Sequence, residues 1–422
     1  MLETIRQYLR YTSWPILAAM VTLMGVGLAA INASEQADAG MTGFTAKQLV
    51  SALIALAAFV AATLIPYRRL GNMAYPLFGL TLALLVALVA AKYAGFKSSF
   101  MPNIRGAYRW IGTGIGDVMI QVSELAKITF ILLLAWRLRR GDHYRRLGGL
   151  VMPFVLTLVP MALILLEPDL GTSMLFLPTL YFMLYMAGAK LRHLLSIVAI
   201  ATVLIFVPLP VKVTQSNATR QPLAYWTFQR NGTQYMALAA SLAKMEDHQV
   251  SRIQGWLLQN DASIKRGKGW QLELSKIVMG SGRWTGSRDW QDADSVFRML
   301  PDDHTDFIFA VVGGQWGFAG CAAVLFLYGV IFVFGVEIAV VTKDPFGRLL
   351  AVGVLALMFT QLVINVGMTM GLMPVTGMTL PFISYGGSSL VINGFAMGLL
   401  VNVGQCRPIL LGRRPFEFDH AA

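Results

Sequence analysis

The sequence predicts an all-α integral membrane protein with about ten transmembrane helices, a large external loop between helices 7 and 8, and a re-entrant loop before helix 10. Three observations predict this fold. Apolar residues make up 56% of the 422 residues and charged residues only 13%, about half the charged fraction of soluble proteins. Apolar runs long enough to cross a bilayer recur along the chain. Lys and Arg residues are distributed unevenly between alternate loops.

Ten apolar runs are candidate spans. The first run is too long for the apolar core of a signal peptide and is interpreted as a spanning helix. The run at 120–136 is the weakest, because it contains Glu124 and Lys127. The ten runs lie near 15–33, 47–65, 75–94, 120–136, 149–167, 171–188, 193–210, 307–335, 348–371 and 386–404.

The loop charges predict the orientation. With the N-terminus inside, sixteen Lys and Arg residues fall in the inner segments and five in the short outer loops. Cytoplasmic loops carry such an excess, so both termini are expected in the cytoplasm. The net charge of +12 therefore reflects membrane orientation, and no nucleic-acid partner is predicted.

Residues 1–422 are expected to form a single polytopic membrane domain, with 211–305 inserted between helices 7 and 8 as an extracytoplasmic loop. Apolar residues at helical spacing predict a helix over Gln234–Gln259. The two cysteines, Cys321 and Cys406, have no partners at metal-ligand spacing, which argues against a disulfide or zinc framework.

Charged residues inside a membrane domain are costly and are functional candidates. Arg109-Trp110 precedes a span that begins with Glu124 and Lys127. Glu124 and Lys127 share a helix face because they are three residues apart. They form either an internal ion pair that neutralises itself or part of a polar cavity that binds an anionic substrate.

A second motif is Glu167-Pro168-Asp169, where two apolar runs meet almost without a loop. Pro168 disfavours a helical conformation at the residue before it. Asp169 could cap the next helix, or it could pair with a cation such as Lys127.

A third motif, His304-Thr305-Asp306, lies where the long loop meets the next span. A carboxylate beside a large apolar surface can have a raised pKa and act as a general base. The alternative is that Asp306 only caps the helix.

A fourth motif, residues 374–389, places two prolines, several glycines and several hydroxyl groups at membrane depth. Irregular backbone is tolerated there only where protein or a water-filled cavity satisfies it. It is interpreted as a re-entrant loop that lines a site, with Ser384, Tyr385 and Ser388 at its end; a purely structural loop is the alternative.

In this order, the four motifs resemble the SEDS family (shape, elongation, division and sporulation) of bacterial membrane proteins over most of the chain. The runs at 304–309 and 384–389 are the most specific. Ser275-Lys276-Ile277 with Gly280-Ser281-Gly282 is closer to the RodA branch of the family than to the FtsW branch.

The resemblance implies a peptidoglycan glycosyltransferase that polymerises lipid II at the outer face of the bacterial cytoplasmic membrane. It implies a class B penicillin-binding protein as partner. It implies Asp306 as the catalytic carboxylate, which takes a proton from the acceptor hydroxyl. Arg109 and Lys127 would bind the diphosphate leaving group, with Asp169 positioning Lys127. The implied substrate-binding residues are Arg109, Trp110, Glu124, Lys127, Asp169, His304, Thr305, Ser384, Tyr385 and Ser388.

No cofactor is certain from the sequence. A divalent cation (Mg²⁺ or Mn²⁺) could share the leaving-group role, but no dedicated set of metal ligands is recognisable. The chain departs from the family at Gly314 and Gln315, where two glutamates are usual. Two other functions stay open: a flippase for lipid II or another lipid-linked sugar, and a weakly catalytic scaffold for a penicillin-binding protein.

Overall fold

The structure is a computed structural model that describes most of the chain. Helices dominate the described part, and its short strands lie in the connections between helices. The described residues are 12–37, 42–95, 100–102, 107–112, 119–140, 143–206, 208–210, 227–230, 233–237, 252, 255–256, 259, 267, 269–287 and 300–406.

The α-helices are numbered in chain order. They are α1 (Trp14–Ala37), α2 (Phe44–Leu64), α3 (Tyr67–Asn72), α4 (Ala74–Ala94), α5 (Val122–Leu138), α6 (Leu147–Leu166), α7 (Leu170–Met174), α8 (Phe176–Met186), α9 (Leu191–Phe206), α10 (Trp270–Ser281), α11 (Ile308–Val341), α12 (Pro345–Thr369) and α13 (Gly387–Gln405). A 3₁₀ turn covers His143–Arg145.

The predicted fold class is confirmed. Seven of these helices are long and apolar enough to cross a bilayer, namely α1, α2, α4, α6, α11, α12 and α13. The other three predicted spans correspond to the more polar α5, to α7 and α8 together, and to α9. The predicted bounds agree to within a few residues, except that α11 continues to Val341, six residues beyond its predicted end.

Close approach of backbones holds the last span against the second. A Cβ atom on Gly394 would lie 2.6 Å from the carbonyl oxygen of Ala55, and one on Gly398 would lie 2.4 Å from that of Phe59. Small residues permit this packing in membranes, where association depends on van der Waals contact. The glycines of α13 therefore fix its position beside α2.

The two ends of the described chain lie at the same end of the helix bundle. Gln405 donates from Nε2 to the hydroxyl oxygen of Thr12 at 2.8 Å. The Tyr67 hydroxyl donates to the Asp344 carboxylate at 2.8 Å at this same end, next to the start of α12. The other end, where α11 and α13 begin, is called the site end below.

Two strands form a hairpin at the site end, directly before α5. Strand β1 (Trp110–Gly112) pairs antiparallel with β2 (Met119–Gln121), with Trp110 opposite Gln121. The hairpin therefore delivers Trp110 to the start of the most polar span.

The helix predicted over Gln234–Gln259 is wrong at its start. Strands β3 (Pro208–Pro210), β4 (Thr227–Arg230) and β5 (Thr233–Ala237) form an antiparallel sheet in the order β3-β5-β4. The sequence contained a signal for it, because Asn-Gly between β-prone runs favours a hairpin and separates the last two strands. Residues 252 and 255–256 are helical, and most of 238–258 lies outside the described residues.

A sharp break interrupts α11 at Gly317, whose φ of 65° and ψ of −160° are not helical. Residues 282–287, called the wedge below, fit into the break. The Phe318 amide donates to the Arg283 carbonyl at 2.8 Å, and the next amide donates to the next carbonyl at 3.1 Å. The wedge thus satisfies amides that the break deprives of helical partners.

The wedge lies directly on the positions where the two family glutamates are absent. The Ser287 amide donates to the carbonyl of Gly314 at 3.0 Å. A Cβ on Gly282 would lie 1.9 Å from the carbonyl oxygen of Gly313. In this chain Gly313 and Gly314 therefore make close backbone contacts with the wedge.

Candidate active site

The segment before α13 descends into the bundle, as predicted for a re-entrant loop. A Cβ on Gly27, near the middle of α1, would lie 2.5 Å from the carbonyl oxygen of Ile383. The hydroxyl of Tyr328, well inside α11, donates to the carbonyl of Pro381. Residues 371–386, called the re-entrant segment below, therefore reach membrane depth while enclosed by protein, as irregular backbone requires.

The loop of residues 300–307 lies directly on the re-entrant segment. The Tyr385 amide donates to the carbonyl of His304 at 2.9 Å. The Ser384 hydroxyl donates to the carbonyl of Thr305 and accepts from the Leu380 amide, both at 2.7 Å. Ser384 therefore joins the two loops, and its direct contact with a substrate stays a prediction.

Asp306 is held in this loop by a side chain from α12. Its amide donates to the Asp302 carbonyl at 3.0 Å, and its carbonyl accepts from Nδ2 of Asn365 at 3.0 Å. The same Asn365 amide donates to the carbonyl of Met378 at 2.5 Å. One buried amide group thus fixes the catalytic candidate and the re-entrant segment relative to each other.

The Asp306 carboxylate faces Gly377. A Cβ on Gly377 would lie 3.3 Å from Oδ2 of Asp306 and 3.2 Å from Nη1 of Arg252. Burial, and then the charge of Asp302, raise the pKa of the Asp306 carboxyl to about 6. Such a pKa suits a general base near neutral pH. The N-cap of α11 is Phe307, so helix capping does not account for Asp306.

His304 has aromatic and acidic neighbours. Its ring lies 4.9 Å from that of Phe44 and 5.6 Å from that of Tyr385, measured between centroids. Its Nδ1 lies 3.1 Å from the carboxylate of Asp303, which also accepts from the Ser34 hydroxyl. These contacts join the 300–307 loop to the ends of α1 and α2.

Asp169 caps α7, which confirms the capping interpretation. Its Oδ1 accepts from the backbone amide of Thr172 at 3.1 Å. Its Oδ2 accepts from the Thr172 hydroxyl at 2.9 Å, from Gln121 Nε2 at 3.1 Å and from the Ser123 hydroxyl at 3.2 Å. These donors contact both of its carboxylate oxygens, and the role of positioning Lys127 stays a prediction.

Arg109 binds backbone rather than a carboxylate. Its Nε donates to the carbonyl of Glu167 at 2.8 Å, and its Nη2 donates to that of Pro168. Since Arg109 directly precedes β1, it attaches the hairpin to the turn between α6 and α7. Trp110 follows, partly exposed on the hairpin.

Glu124 and Lys127 form the ion pair predicted from their spacing. Their charged groups are 2.7 Å apart, and the residues are 5% and 1% exposed. An ion pair this deeply buried is costly to break. A role in binding substrate stays a prediction.

Glu167 belongs to the second sequence motif, but the sequence assigned it no role in the site. It is fully buried, and neither carboxyl oxygen has a hydrogen-bond partner among the described residues. Burial, and then the charge of Asp169, raise the pKa of the Glu167 carboxyl to about 8. Glu167 is therefore mainly protonated at neutral pH.

The residues around Asp169 and the residues around Asp306 both contact the re-entrant segment. On one side, a Cβ on Gly171 would lie 2.9 Å from the carbonyl oxygen of Thr376. On the other side, Gly377 touches Asp306. The Ser388 hydroxyl donates to the Met119 carbonyl at 2.8 Å and so attaches α13 to the hairpin. The Asp169 and Asp306 motifs thus pack against the same re-entrant segment at the site end.

Sequence reasoning missed three residues near Asp306. Asn365 lies in an apolar span, and a polar residue there is itself a signal. Gly377 lies within a recognised motif, but its contact with Asp306 joins distant parts of the chain. Arg252 had no local signal. The described residues contain no group of three His, Cys, Asp or Glu side chains that could hold a metal ion.

Known proteins are similar to this chain over almost all of its length. Residues 9–407 match the FtsW/RodA/SpoVE family, described as cell cycle protein. Peptidoglycan glycosyltransferase RodA of Treponema pallidum (strain Nichols) is 31% identical over 430 residues, which cover 92% of this chain and 96% of the relative. Peptidoglycan glycosyltransferase MrdB of Escherichia coli (strain K12) is 30% identical over 395 residues, 94% of each chain.

Solved structures share the fold. One chain of a peptidoglycan synthase complex, described as coordinating polymerization and crosslinking, has a TM-score of 0.72 and 25% identity, and the match covers 94% of this chain and 98% of that one. The crystal structure of the rod shape determining protein RodA of Thermus thermophilus has a TM-score of 0.61 and 24% identity, with 94% and 97% covered. With seven membrane-length apolar helices in its described part, its re-entrant segment and a family match over residues 9–407, this chain belongs to the FtsW/RodA/SpoVE family, the SEDS proteins.

Proposed function

We propose that this chain is a peptidoglycan glycosyltransferase that polymerises lipid II into glycan strands for cell elongation and shape. The observation that carries the proposal is the Asp306 carboxylate, held by Asn365 over the re-entrant segment with a pKa near 6. Relatives of similar length are named for this activity.

Asp306 is proposed as the general base. The acceptor sugar's hydroxyl loses its proton to the carboxylate as its oxygen attacks the anomeric carbon of a lipid-linked donor. A base within hydrogen-bond reach contributes about 10²–10⁴-fold to such a step. The half-buried setting of Asp306 favours the reaction, because burial raises the proton affinity of the carboxylate.

The proposed substrate site lies between the Asp169 motif and the Asp306 motif. Trp110, His304 and Tyr385 offer aromatic faces suited to stacking on sugar rings. Ser384, Ser388 and Thr305 position the loops through their hydrogen bonds. Asp169 and Arg109 keep the turn before α7 against the hairpin, and the Glu124–Lys127 pair supports the start of α5 beneath them.

The site end is proposed to face outward from the bacterial cytoplasmic membrane, with both termini in the cytoplasm. The Thr12–Gln405 contact puts the two ends of the described chain opposite the site, and the excess of Lys and Arg falls in the loops of that opposite end. Residues 211–305 then form an extracytoplasmic loop. A class B penicillin-binding protein is the proposed partner, since a structural relative belongs to a complex that also crosslinks.

Purified protein supplied with lipid II should make glycan strands. Asp306→Asn, which keeps the size of the side chain, should lower the rate by at least 10²-fold. The matched control is Glu337→Gln, the same change at an exposed carboxylate on α11, which should polymerise at the wild-type rate. Equal rates for both variants would contradict the assignment of Asp306.

The flippase hypothesis makes a different prediction. Transporters bind substrate near the bilayer midplane, whereas Asp306 and Asp169 lie at the starts of helices at the site end. Wild-type protein in vesicles should therefore polymerise lipid II without moving a fluorescent lipid-linked sugar across the bilayer. Polymerisation in the absence of any penicillin-binding protein would exclude the scaffold hypothesis.

A further inference from the structure

Arg109 and Lys127, the two cations that the motifs predict to bind a diphosphate, already have partners. Arg109 donates from Nε to the carbonyl of Glu167 at 2.8 Å, and from Nη2 to the next carbonyl. Lys127 is 1% exposed, with its ammonium 2.7 Å from the Glu124 carboxylate. Both cations therefore already have partners away from the Asp306 carboxylate.

A third cation lies beside that carboxylate. Nη1 of Arg252 is 3.2 Å from the position of a Cβ on Gly377, and Oδ2 of Asp306 is 3.3 Å from the same point. The φ of Gly377 is +74°, a conformation that glycine adopts without cost. The absence of a side chain at 377 leaves the guanidinium and the carboxylate facing one space.

Trp256 and Gln259, which follow Arg252 in the chain, attach this part of the chain to the re-entrant segment. Trp256 donates from Nε1 to the carbonyl of Gly371 at 3.1 Å, and Gln259 donates to the same oxygen at 3.4 Å. Arg252, Trp256 and Gln259 therefore all lie against the re-entrant segment. Lys276 of α10 donates to the Gln259 amide oxygen and holds it from the other side.

We propose that Arg252 binds the diphosphate of the lipid-linked donor and stabilises it as it leaves. This inference rests on the proposed function and adds a residue that the family motifs did not nominate. A guanidinium presents two N–H groups in a fork that matches phosphate oxygens, and such charge-assisted bonds are among the strongest in proteins. Arg252 is partly exposed, so a substrate can reach it.

The arrangement accounts for both halves of the reaction. The acceptor oxygen forms a bond to the anomeric carbon and gives its proton to Asp306. The bond between the anomeric carbon and the diphosphate oxygen breaks, and its electron pair stays on that oxygen. Arg252 neutralises the charge that develops on that oxygen.

The test compares purified full-length wild type, Arg252→Gln, Arg252→Lys and Arg283→Gln. Arg283 is an exposed arginine of the wedge, so its variant is the matched control for loss of one positive charge. With lipid II, Arg252→Gln should lose about 10²-fold in kcat/KM, the usual scale for removing one donor to a developing negative charge. Arg252→Lys should keep part of the rate, and Arg283→Gln should match wild type.

A second measurement separates diphosphate binding from folding and from catalysis. Undecaprenyl diphosphate and undecaprenyl monophosphate are titrated against each protein, and thermal unfolding is recorded. Wild type, Arg283→Gln and Asp306→Asn should prefer the diphosphate, whereas Arg252→Gln should bind both lipids equally at an unchanged unfolding temperature.

Retention of both the wild-type rate and the preference for diphosphate by Arg252→Gln would overturn the inference. A wild-type protein that makes no glycan would instead overturn the proposed function. The lipid titration would still decide whether Arg252 recognises a diphosphate, so the two failures are distinguishable.

Discussion

The side-chain amide of Asn365 donates to the backbone carbonyl of Asp306 at 3.0 Å, from within a transmembrane helix. The same amide holds the carbonyl of Met378. A single polar side chain therefore sets the spacing between the proposed base and the re-entrant segment.

Replacement of Asn365 by Leu should lower both the stability of the protein and its rate of polymerisation. The change leaves two buried carbonyls without a donor, at about 1–3 kcal/mol for each, and frees Asp306 to move from its position over Gly377. The glycan rate should fall at least tenfold, and its dependence on pH should shift, because the surroundings of Asp306 change.

The control for this substitution is Asn393→Leu. Asn393 is also fully buried in a span, but its amide donates to the Ser389 hydroxyl. This variant should lose stability by thermal unfolding and keep the wild-type pH profile. A shifted profile in both variants would argue against a specific role for Asn365.

The rate of polymerisation should rise with pH through about 6. Burial raises the pKa of Asp306 above the usual aspartate value, and only the ionised form can accept a proton. Initial rates with lipid II from pH 5 to pH 8 should follow a single ionisation on the acid side. A rate that is constant between pH 5 and pH 7 would exclude Asp306 as the base.

Glu167→Gln should stabilise the protein relative to wild type at alkaline pH. The folded-state pKa of Glu167 is about 8, well above that of an unfolded glutamate, so the folded state binds the proton more tightly. Wild type therefore loses stability as pH rises from about 4.5 to 8, and beyond 8 the penalty is constant. Gln, which is neutral and similar in size, avoids this loss.

Thermal unfolding in detergent at pH 5 and pH 8.5 measures this effect. The advantage of Glu167→Gln over wild type should be larger at pH 8.5, and the exposed control Glu337→Gln should track wild type at both values. A constant difference between Glu167→Gln and wild type would mean that Glu167 does not titrate in this range.

Gly377→Ala should nearly abolish activity at a modest cost in stability. The new Cβ would approach both Asp306 and Arg252, and the left-handed conformation costs alanine about 1–2 kcal/mol. Gly95→Ala is the control, because Gly95 has a φ of +64° with open space around it. Both variants should lose similar stability, and only Gly377→Ala should lose the polymerase rate.

Gly282→Ala should destabilise the wedge. The Cβ would lie 1.9 Å from a backbone oxygen of α11. Because backbone cannot move aside as a side chain can, the free energy of unfolding should fall by at least about 1–3 kcal/mol. Gly280→Ala, two residues earlier and in open space, should leave the free energy of unfolding within about 0.5 kcal/mol of wild type.

Local signals explain what the sequence could predict. The spans were predictable because an apolar run and its length are properties of consecutive residues, and the Asp169 cap was predictable because an N-cap contacts a residue three positions on. The β5 strand was missed because apolar spacing was preferred over the hairpin signal. The contacts of Asp306 with Asn365 and Gly377 join segments far apart in the chain, so they required the structure.

The break at Gly317 limits how segments can be exchanged between relatives. A continuous helix over 308–341 would measure about 51 Å, whereas the portion after the break already measures about 36 Å and can cross a bilayer alone. The first two backbone amides of that portion donate hydrogen bonds to carbonyls of the wedge. A chimera whose boundary falls between 282 and 317 would separate these donors from their acceptors, so the wedge and α11 must be transplanted as one unit.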